Sequence, residues 1–180
     1  MPGLLISGGA GTVGRLAVQV AAASGARVIA TAHGPQEIEA AQGAGASAVH
    51  LSPNLAGDIL DATGGTPVNH VVEVEFGKNI DTLAQVIAER GRIVTYGSAL
   101  AMTPTLPFYP LLFKAVSIDL VLVYLLNKHE RTRAIENLTR LLERDAIDLR
   151  ISQTLPLEEC AKAHELIAAG QRAGSVILTM

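Results

Sequence analysis

The chain has 180 residues, 49% of them hydrophobic and 17% charged, with a formal net charge of −3. That length accommodates one domain, or one domain with part of another, and the apolar content is ample for a packed core. No Lys/Arg cluster stands out, so a nucleic-acid partner is not expected. The single cysteine, Cys160, excludes an internal disulfide. It falls in a predicted helix, where a small, buried or half-buried role is expected. No basic n-region opens the chain, so no signal peptide is expected. The longest apolar run, Val116 to Leu126, is broken by Ser117 and Asp119 and is too short to span a bilayer. A cytoplasmic setting and no membrane association are the resulting expectations.

Chain order begins with an apolar strand over Leu4–Ile6, then Ser7-Gly8-Gly9-Ala10-Gly11-Thr12-Val13-Gly14. Gly9, Gly11 and Gly14 satisfy G-x-G-x-x-G, and a small-residue helix follows through Leu16, Ala17, Val20 and Ala21. Strand, glycine turn and helix together make the dinucleotide fingerprint. The first glycine permits the turn, the second admits a pyrophosphate, and the third lets helix and strand approach closely. The helix N-terminus adds N–H groups and a positive dipole end.

Arg27–Ala32 is the second strand, and Pro35 opens a helix over Gln36–Gln42 that Gly43 and Gly45 stop. Ala48–Leu51 reads as a third strand, followed by a helix ending near Gly64-Gly65. His70–Glu75 is a fourth strand, Ile80–Glu89 a helix, and Gly91–Gly97 a fifth strand. Pro104, Pro107 and Pro110 make Met102–Pro110 loop, and Val116–Tyr124 a sixth strand. Glu130–Arg144 is an amphipathic helix with Ile135, Leu138, Leu141 and Leu142 on one face. The tail reads strand (149–152), helix (156–169), strand (176–178). The expected fold class is α/β: a Rossmann fold, a doubly wound six-stranded parallel sheet, with a C-terminal β-α-β tail. Two units are expected, a nucleotide-binding domain over 1–128 and a C-terminal helix and tail over 129–180.

The stretches Gly8–Gly14, Gly91–Gly97, Leu155–His164 and Gly174–Leu178, in this order and spacing, resemble the medium-chain dehydrogenase/reductases. The similarity is greatest to the zinc-independent quinone oxidoreductase branch and covers nearly the whole chain. It implies the NADP(H)-binding domain of a reductase, positioning the nicotinamide for hydride transfer to a quinone or an activated alkene or carbonyl. It also implies a missing N-terminal GroES-like domain, which supplies most of the substrate pocket in such enzymes; the isolated chain is expected to be of low activity. Gly9, Gly11, Thr12, Val13 and Gly14 would hold the pyrophosphate, with Gly97 and Ser98 near the nicotinamide half. Ala32 stands about twenty residues past the glycine turn, where NAD-binding folds carry an acid for the ribose 2′-hydroxyl. Its absence favours NADP(H) over NAD(H). Yet Glu37 stands where the branch often has a lysine, leaving His33 near a 2′-phosphate.

Glu73 and Glu75 lie two apart, on one face of the fourth strand near its C-terminal end. They could contact a ribose, form an acid/base pair, or meet solvent; Glu75 is placed with the cofactor. Tyr96 lines the nicotinamide side or serves in packing. His164 is a packing or surface residue, and His50, His70 and His129 have no partner at metal spacing, so no metal site is expected. Two other classes compete. Tyr124 and Lys128 form Y-x-x-x-K, the acid and pKa-lowering pair of a short-chain dehydrogenase, although the family requires a helix there. A non-catalytic nucleotide-binding module would bind cofactor without turnover. A small-molecule substrate is the expected partner. The strongly apolar edge over residues 117–126 is expected to pair with its copy in a homodimer.

Overall fold

The computed structural model describes residues 3–50, 52–169 and 174–180. Six strands alternate with helices: β1 (Gly3–Ile6), α1 (Thr12–Ala23), β2 (Arg27–Ala32), α2 (Pro35–Gly43), β3 (Ser47–His50), α3 (Leu55–Ala62), β4 (Val68–Glu73), α4 (Phe76–Val86), β5 (Ile87–Thr95), α5 (Phe108–Phe113) and β6 (Ser117–Leu120). All pairings are parallel, in the order β3-β2-β1-β4-β5-β6. The order reverses between β1 and β4. In an open α/β sheet that break opens a crevice at the carboxyl ends of the strands, where ligands bind.

Both sheet faces are covered, as the near-continuous apolar strands require. Leu5, Ile29, Val71 and Ile93 pack with Ile59 of α3 and with Ile80 and Leu83 of α4. On the opposite face Ile6, Val28 and Ala30 pack with Val18 of α1 and Ala41 of α2. Neighbouring residues of β1 and β2 thus enter different clusters, the period of two that a strand imposes.

Several boundaries differ from the sequence expectation. Helix α4 starts four residues early, at Phe76, with Gly77 in its first turn, where a Cβ would lie 2.3 Å from the Ala101 carbonyl oxygen. Strand β5 starts at Ile87, and its pairing skips from Val68↔Ile87 to His70↔Arg92. Arg90, at φ 57°, takes up the irregularity. The expected loop over Met102–Pro110 ends in α5, with Pro110 in the first turn, where a missing N–H costs nothing. Strand β6 stops at Leu120, and a 3-10 turn follows over Val123–Leu125. Beyond Val121, whose N–H donates to Thr95 O at 2.8 Å, β5 has turned away and offers no further ladder.

Helix α6 (Lys128–Leu142) begins with a capping box: Asn127 Oδ1 accepts from Glu130 N at 2.9 Å, and Glu130 Oε2 accepts from Asn127 N at 2.9 Å. The tail is β7 (Ile151–Pro156), a 3-10 turn, α7 (Cys160–Ala168) and β8 (Ser175–Thr179), with β7 and β8 paired parallel in their own small sheet. Asp148, just before β7, is tied to α1. Arg15 Nη2 pairs with Asp148 at 2.7 Å, while Gln19 Oε1 accepts from Asp148 N at 2.8 Å.

Lys114 closes the C-terminal end of α4. Its Nζ donates to the carbonyls of Ala84 (2.8 Å), Gln85 (3.1 Å) and Ile87 (2.8 Å), groups that a helix end leaves without partners. Lys114→Met keeps the stem and removes all three bonds. The expected cost is about 1–2 kcal/mol, a fall of roughly 3–6 °C in melting temperature for a domain of this size. Thermal denaturation checks it, and an unchanged midpoint would show that solvent caps α4 equally well.

Candidate functional site

The turn after β1 is built by glycines with different duties. Gly8 adopts φ +66°, a left-handed conformation, and its N–H donates to Thr31 Oγ1 at 3.0 Å. The N–H of Gly9 donates to Thr31 O, and that of Gly11 to Gly8 O, each at 3.0 Å. A Cβ on Gly9 would sit 2.4 Å from the Ala30 Cβ, and one on Gly14 only 2.1 Å from Gly8 O. Those two glycines let α1 lie against the sheet. A Cβ on Gly11 would meet only Gly8 O, at 3.3 Å. Gly11 therefore answers to whatever approaches from outside. It is the N-cap of α1 in extended conformation, with no side-chain cap and no acidic residue in the first turn of the helix. Val13, in that turn, is exposed. The arrangement favours an anion at this end of the helix.

Across the crevice, β4 ends at Glu73, so Glu73 and Glu75 do not share a strand face. Glu73 is completely buried. Its Oε2 accepts from Ser7 Oγ at 2.5 Å, and its Oε1 from Glu75 N (2.5 Å) and Asn79 Nδ2 (2.9 Å). The ends of β1, β4 and α4 are thereby held together at the break in strand order. Glu75 is the N-cap residue of α4, and its carboxylate receives the N–H groups of Ala99 (3.1 Å) and Leu100 (2.6 Å). It acts on the loop after β5.

Ser98 fixes the same loop: its Oγ accepts from Gly77 N at 2.8 Å and donates to Ala101 O at 2.6 Å. Gly97 O accepts from Phe76 N at 3.0 Å, and a Cβ on Gly97 would lie 2.4 Å from Val74 O. The Cγ1 of Val74 would in turn be 3.6 Å from a Cβ on Gly8. Val74 therefore lies between the two glycine loops. Phe76, Tyr96, Ser98, Leu120, Val121 and Leu122 line a cleft of about 190 Å³ at the ends of β5 and β6. The Tyr96 phenol is held above its ordinary value, first by burial and then by the charge of Glu73.

At the end of β2, Ala32 is buried and His33 exposed. The N–H of His33 donates to Glu37 Oε2 at 2.7 Å, so a carboxylate closes the loop. Gly9, Gly11, Thr12, Val13 and Gly14 are thus one constellation, Glu75, Gly97 and Ser98 a second, and His33 lies apart on the β2–α2 loop. Sequence reasoning missed the Ser7–Glu73–Asn79 link. Its one trace was a carboxylate directly after the apolar pair Val71-Val72 at the end of β4.

Other candidates fall outside these groups. Tyr124 is in the 3-10 turn and Lys128 is the first residue of α6, so the Y-x-x-x-K pair does not share a helix face. Cys160, expected to be buried or half-buried, is exposed because the apolar side of α7 turns Ala163 inward instead. His70, His129 and His164 are exposed, and the His50 side chain lies outside the described residues.

A family profile described as zinc-binding dehydrogenase matches residues 12–140, more than two thirds of the chain. A quinone oxidoreductase of Pseudomonas aeruginosa is 29% identical over 181 residues, covering 97% of this chain and 55% of that protein. A hybrid PKS-NRPS synthetase of Aspergillus violaceofuscus is 28% identical over 185 residues, covering 97% of this chain and 5% of that protein. The chain thus spans about half the length of the quinone oxidoreductase and a small fraction of the synthetase. Among solved structures, the Escherichia coli quinone oxidoreductase complexed with NADPH superposes with a TM-score of 0.84 at 25% identity, covering 99% of this chain and 57% of that one. The profile's description names zinc. Among the described residues, however, no three of His, Cys, Asp or Glu gather as a metal would need, so the donor set does not fit and no step is derived through a metal. Fold, glycine turn and profile agree: the chain belongs to the zinc-binding dehydrogenase family of medium-chain dehydrogenase/reductases, whose Rossmann-fold part it represents.

Proposed function

We propose that the chain binds NADP(H) along the crevice between β1 and β4 and presents the nicotinamide for hydride transfer in a quinone oxidoreductase-like enzyme. The observation that carries this reading is the turn in which Gly9 and Gly14 are fixed by internal sterics while Gly11 is left open at the start of α1. When bound, NADPH supplies a hydride to an electrophilic acceptor, a quinone or an activated alkene or carbonyl. Gly11, Thr12 and Val13 hold the pyrophosphate at the helix N-terminus, while Gly9 and Gly14 keep strand and helix close enough to do so. Glu75 and Ser98 set the loop beyond Gly97 on the nicotinamide side, and His33 lies toward the adenosine ribose. Calorimetric titration tests the reading: saturable NADPH binding is expected, and its absence from folded protein would contradict it.

NADP(H) is preferred because Ala32 offers no acid to the 2′-hydroxyl, in keeping with the NADPH complex of the Escherichia coli relative. Glu37 works against that preference by placing a carboxylate on the same loop. Glu37→Lys is expected to tighten NADPH about ten-fold while leaving NADH nearly unchanged, as one charge reversal beside a phosphate would. Parallel titrations with the two nucleotides decide it, and equal changes for both would place the 2′-phosphate elsewhere. The same proposal includes a homodimer through the β6 edge and a cytoplasmic setting, which the single cysteine favours. Among the described residues no helix is long and apolar enough to cross a membrane.

A further inference from the structure

Glu73 is an expensive residue where it stands. It is fully buried, its three partners are the neutral donors Ser7, Glu75 N–H and Asn79, and among the described residues no Lys or Arg pairs with it. A buried charge without a counter-ion costs stability that a leucine at the same place would not. Packing therefore does not explain it.

We propose that the Glu73 carboxylate, held by Ser7 and Asn79 beneath the break in strand order, is a fixed negative charge that favours the oxidised nicotinamide over the reduced one. This rests on NADP(H) occupying the crevice above β1 and β4. The nicotinamide ring is neutral in NADPH and carries one positive charge in NADP⁺, so a nearby anion distinguishes the two states by Coulomb attraction alone. Three features suit Glu73 to that role. It lies at the carboxyl ends of the strands that border the crevice, where the ligand of such a sheet is found. Its hydrogen-bond partners fix its position without cancelling its charge. Burial weakens the screening of that charge by water. Tyr96, which lines the neighbouring cleft, has its phenol held above the ordinary value first by burial and then by the charge of Glu73. The consequence is a stronger hydride donor: stabilising the cation relative to the neutral ring makes bound NADPH easier to oxidise.

The test is a pair of calorimetric titrations on the full chain, one with NADPH and one with NADP⁺, at one pH and ionic strength. Glu73→Gln keeps the size and removes the charge. The ratio of dissociation constants, NADPH over NADP⁺, is expected to fall roughly five-fold, the scale on which one unit charge acts across a partly hydrated site. Asn79→Lys is the second variant, at a half-buried helix position that tolerates lysine, and it neutralises Glu73 without removing it. It should lower the ratio in the same direction, and it decides the matter if Glu73→Gln does not fold. Equal weakening of both nucleotides, or an unchanged ratio, would overturn the inference and leave Glu73 a structural link. Wild-type protein that binds neither nucleotide would instead overturn the cofactor reading, and this inference with it.

Discussion

Gly11→Val is expected to abolish NADPH binding while leaving the chain folded. The backbone of Gly11 sits at φ −65° and ψ 164°, a conformation open to any residue, and a Cβ there meets only Gly8 O at 3.3 Å. The loop can absorb that contact by a few tenths of an ångström. A pyrophosphate cannot absorb it, because the valine methyls would fill the space over the first N–H groups of α1. An affinity loss of at least a hundred-fold is expected, with a circular-dichroism spectrum and melting temperature close to wild type. Gly14→Ala is the contrasting control. Its Cβ would be forced to within 2.1 Å of a backbone oxygen, so loop or helix must move. That variant should lose about 2–3 kcal/mol of stability, or roughly 5–10 °C. The two glycines are three residues apart, yet one substitution should register in binding and the other in folding. A Gly11→Val protein with an undiminished NADPH-induced shift in melting temperature would move the phosphate site elsewhere.

The second large effect concerns assembly. Strand β6 is an outer strand of the sheet, and Leu120, Leu122, Val123, Tyr124 and Leu125 beside it are all more than half exposed. Phe108 and Phe113 of α5, the helix that leads into β6, are exposed as well. An apolar edge of this kind recruits another chain. A homodimer is expected, with β6 (Ser117–Leu120) supplying the strand pairing and residues 121–125 an apolar flank. Val121→Lys together with Val123→Lys places two like charges on each partner across a two-fold axis. Dissociation into monomers at concentrations where the wild type is dimeric, a weakening of at least about a hundred-fold, is the expected result by light scattering across a dilution series. A wild type that is monomeric at every concentration, or a dimer indifferent to both lysines, would contradict it.

The sheet was legible in the sequence because its signals are local. β-branched runs such as Arg27–Ala32 and glycines at fixed offsets carry their meaning within a few residues, and the strand order is that of the Rossmann fold those signals indicate. What was not legible depended on contacts between distant segments. Helix α4 was expected only from Ile80, and the approach of Ala101 and Ser98 explains why a glycine stands in its first turn. The end of β6 is set where its pairing with β5 ends, at Thr95↔Leu120, and nothing in the apolar run from Ile118 to Leu126 marks it. Pro110 reads as loop until Pro107 is seen to cap a helix in which Pro110 occupies the first turn. In the candidate site, the glycine turn was readable from its spacing together with the strand before it and the helix after it. Glu75, by contrast, receives two backbone N–H groups from residues 99 and 100, contacts across 24 and 25 positions that no motif encodes. Glu73 and Ser7 meet across 66 positions, and only the β1–β4 pairing brings them together.

NADP(H) binding between β1 and β4, with the phosphates at the start of α1, must register in the backbone amides of both loops. Backbone amide chemical shifts, recorded while NADPH is added to the 18.8 kDa chain, test it most directly. Saturable changes should concentrate at Gly8 to Arg15 and at Tyr96 to Ala99, with smaller ones at His33 and Gly34. Saturable binding whose largest shifts lie elsewhere, or no shift at millimolar NADPH, would contradict it.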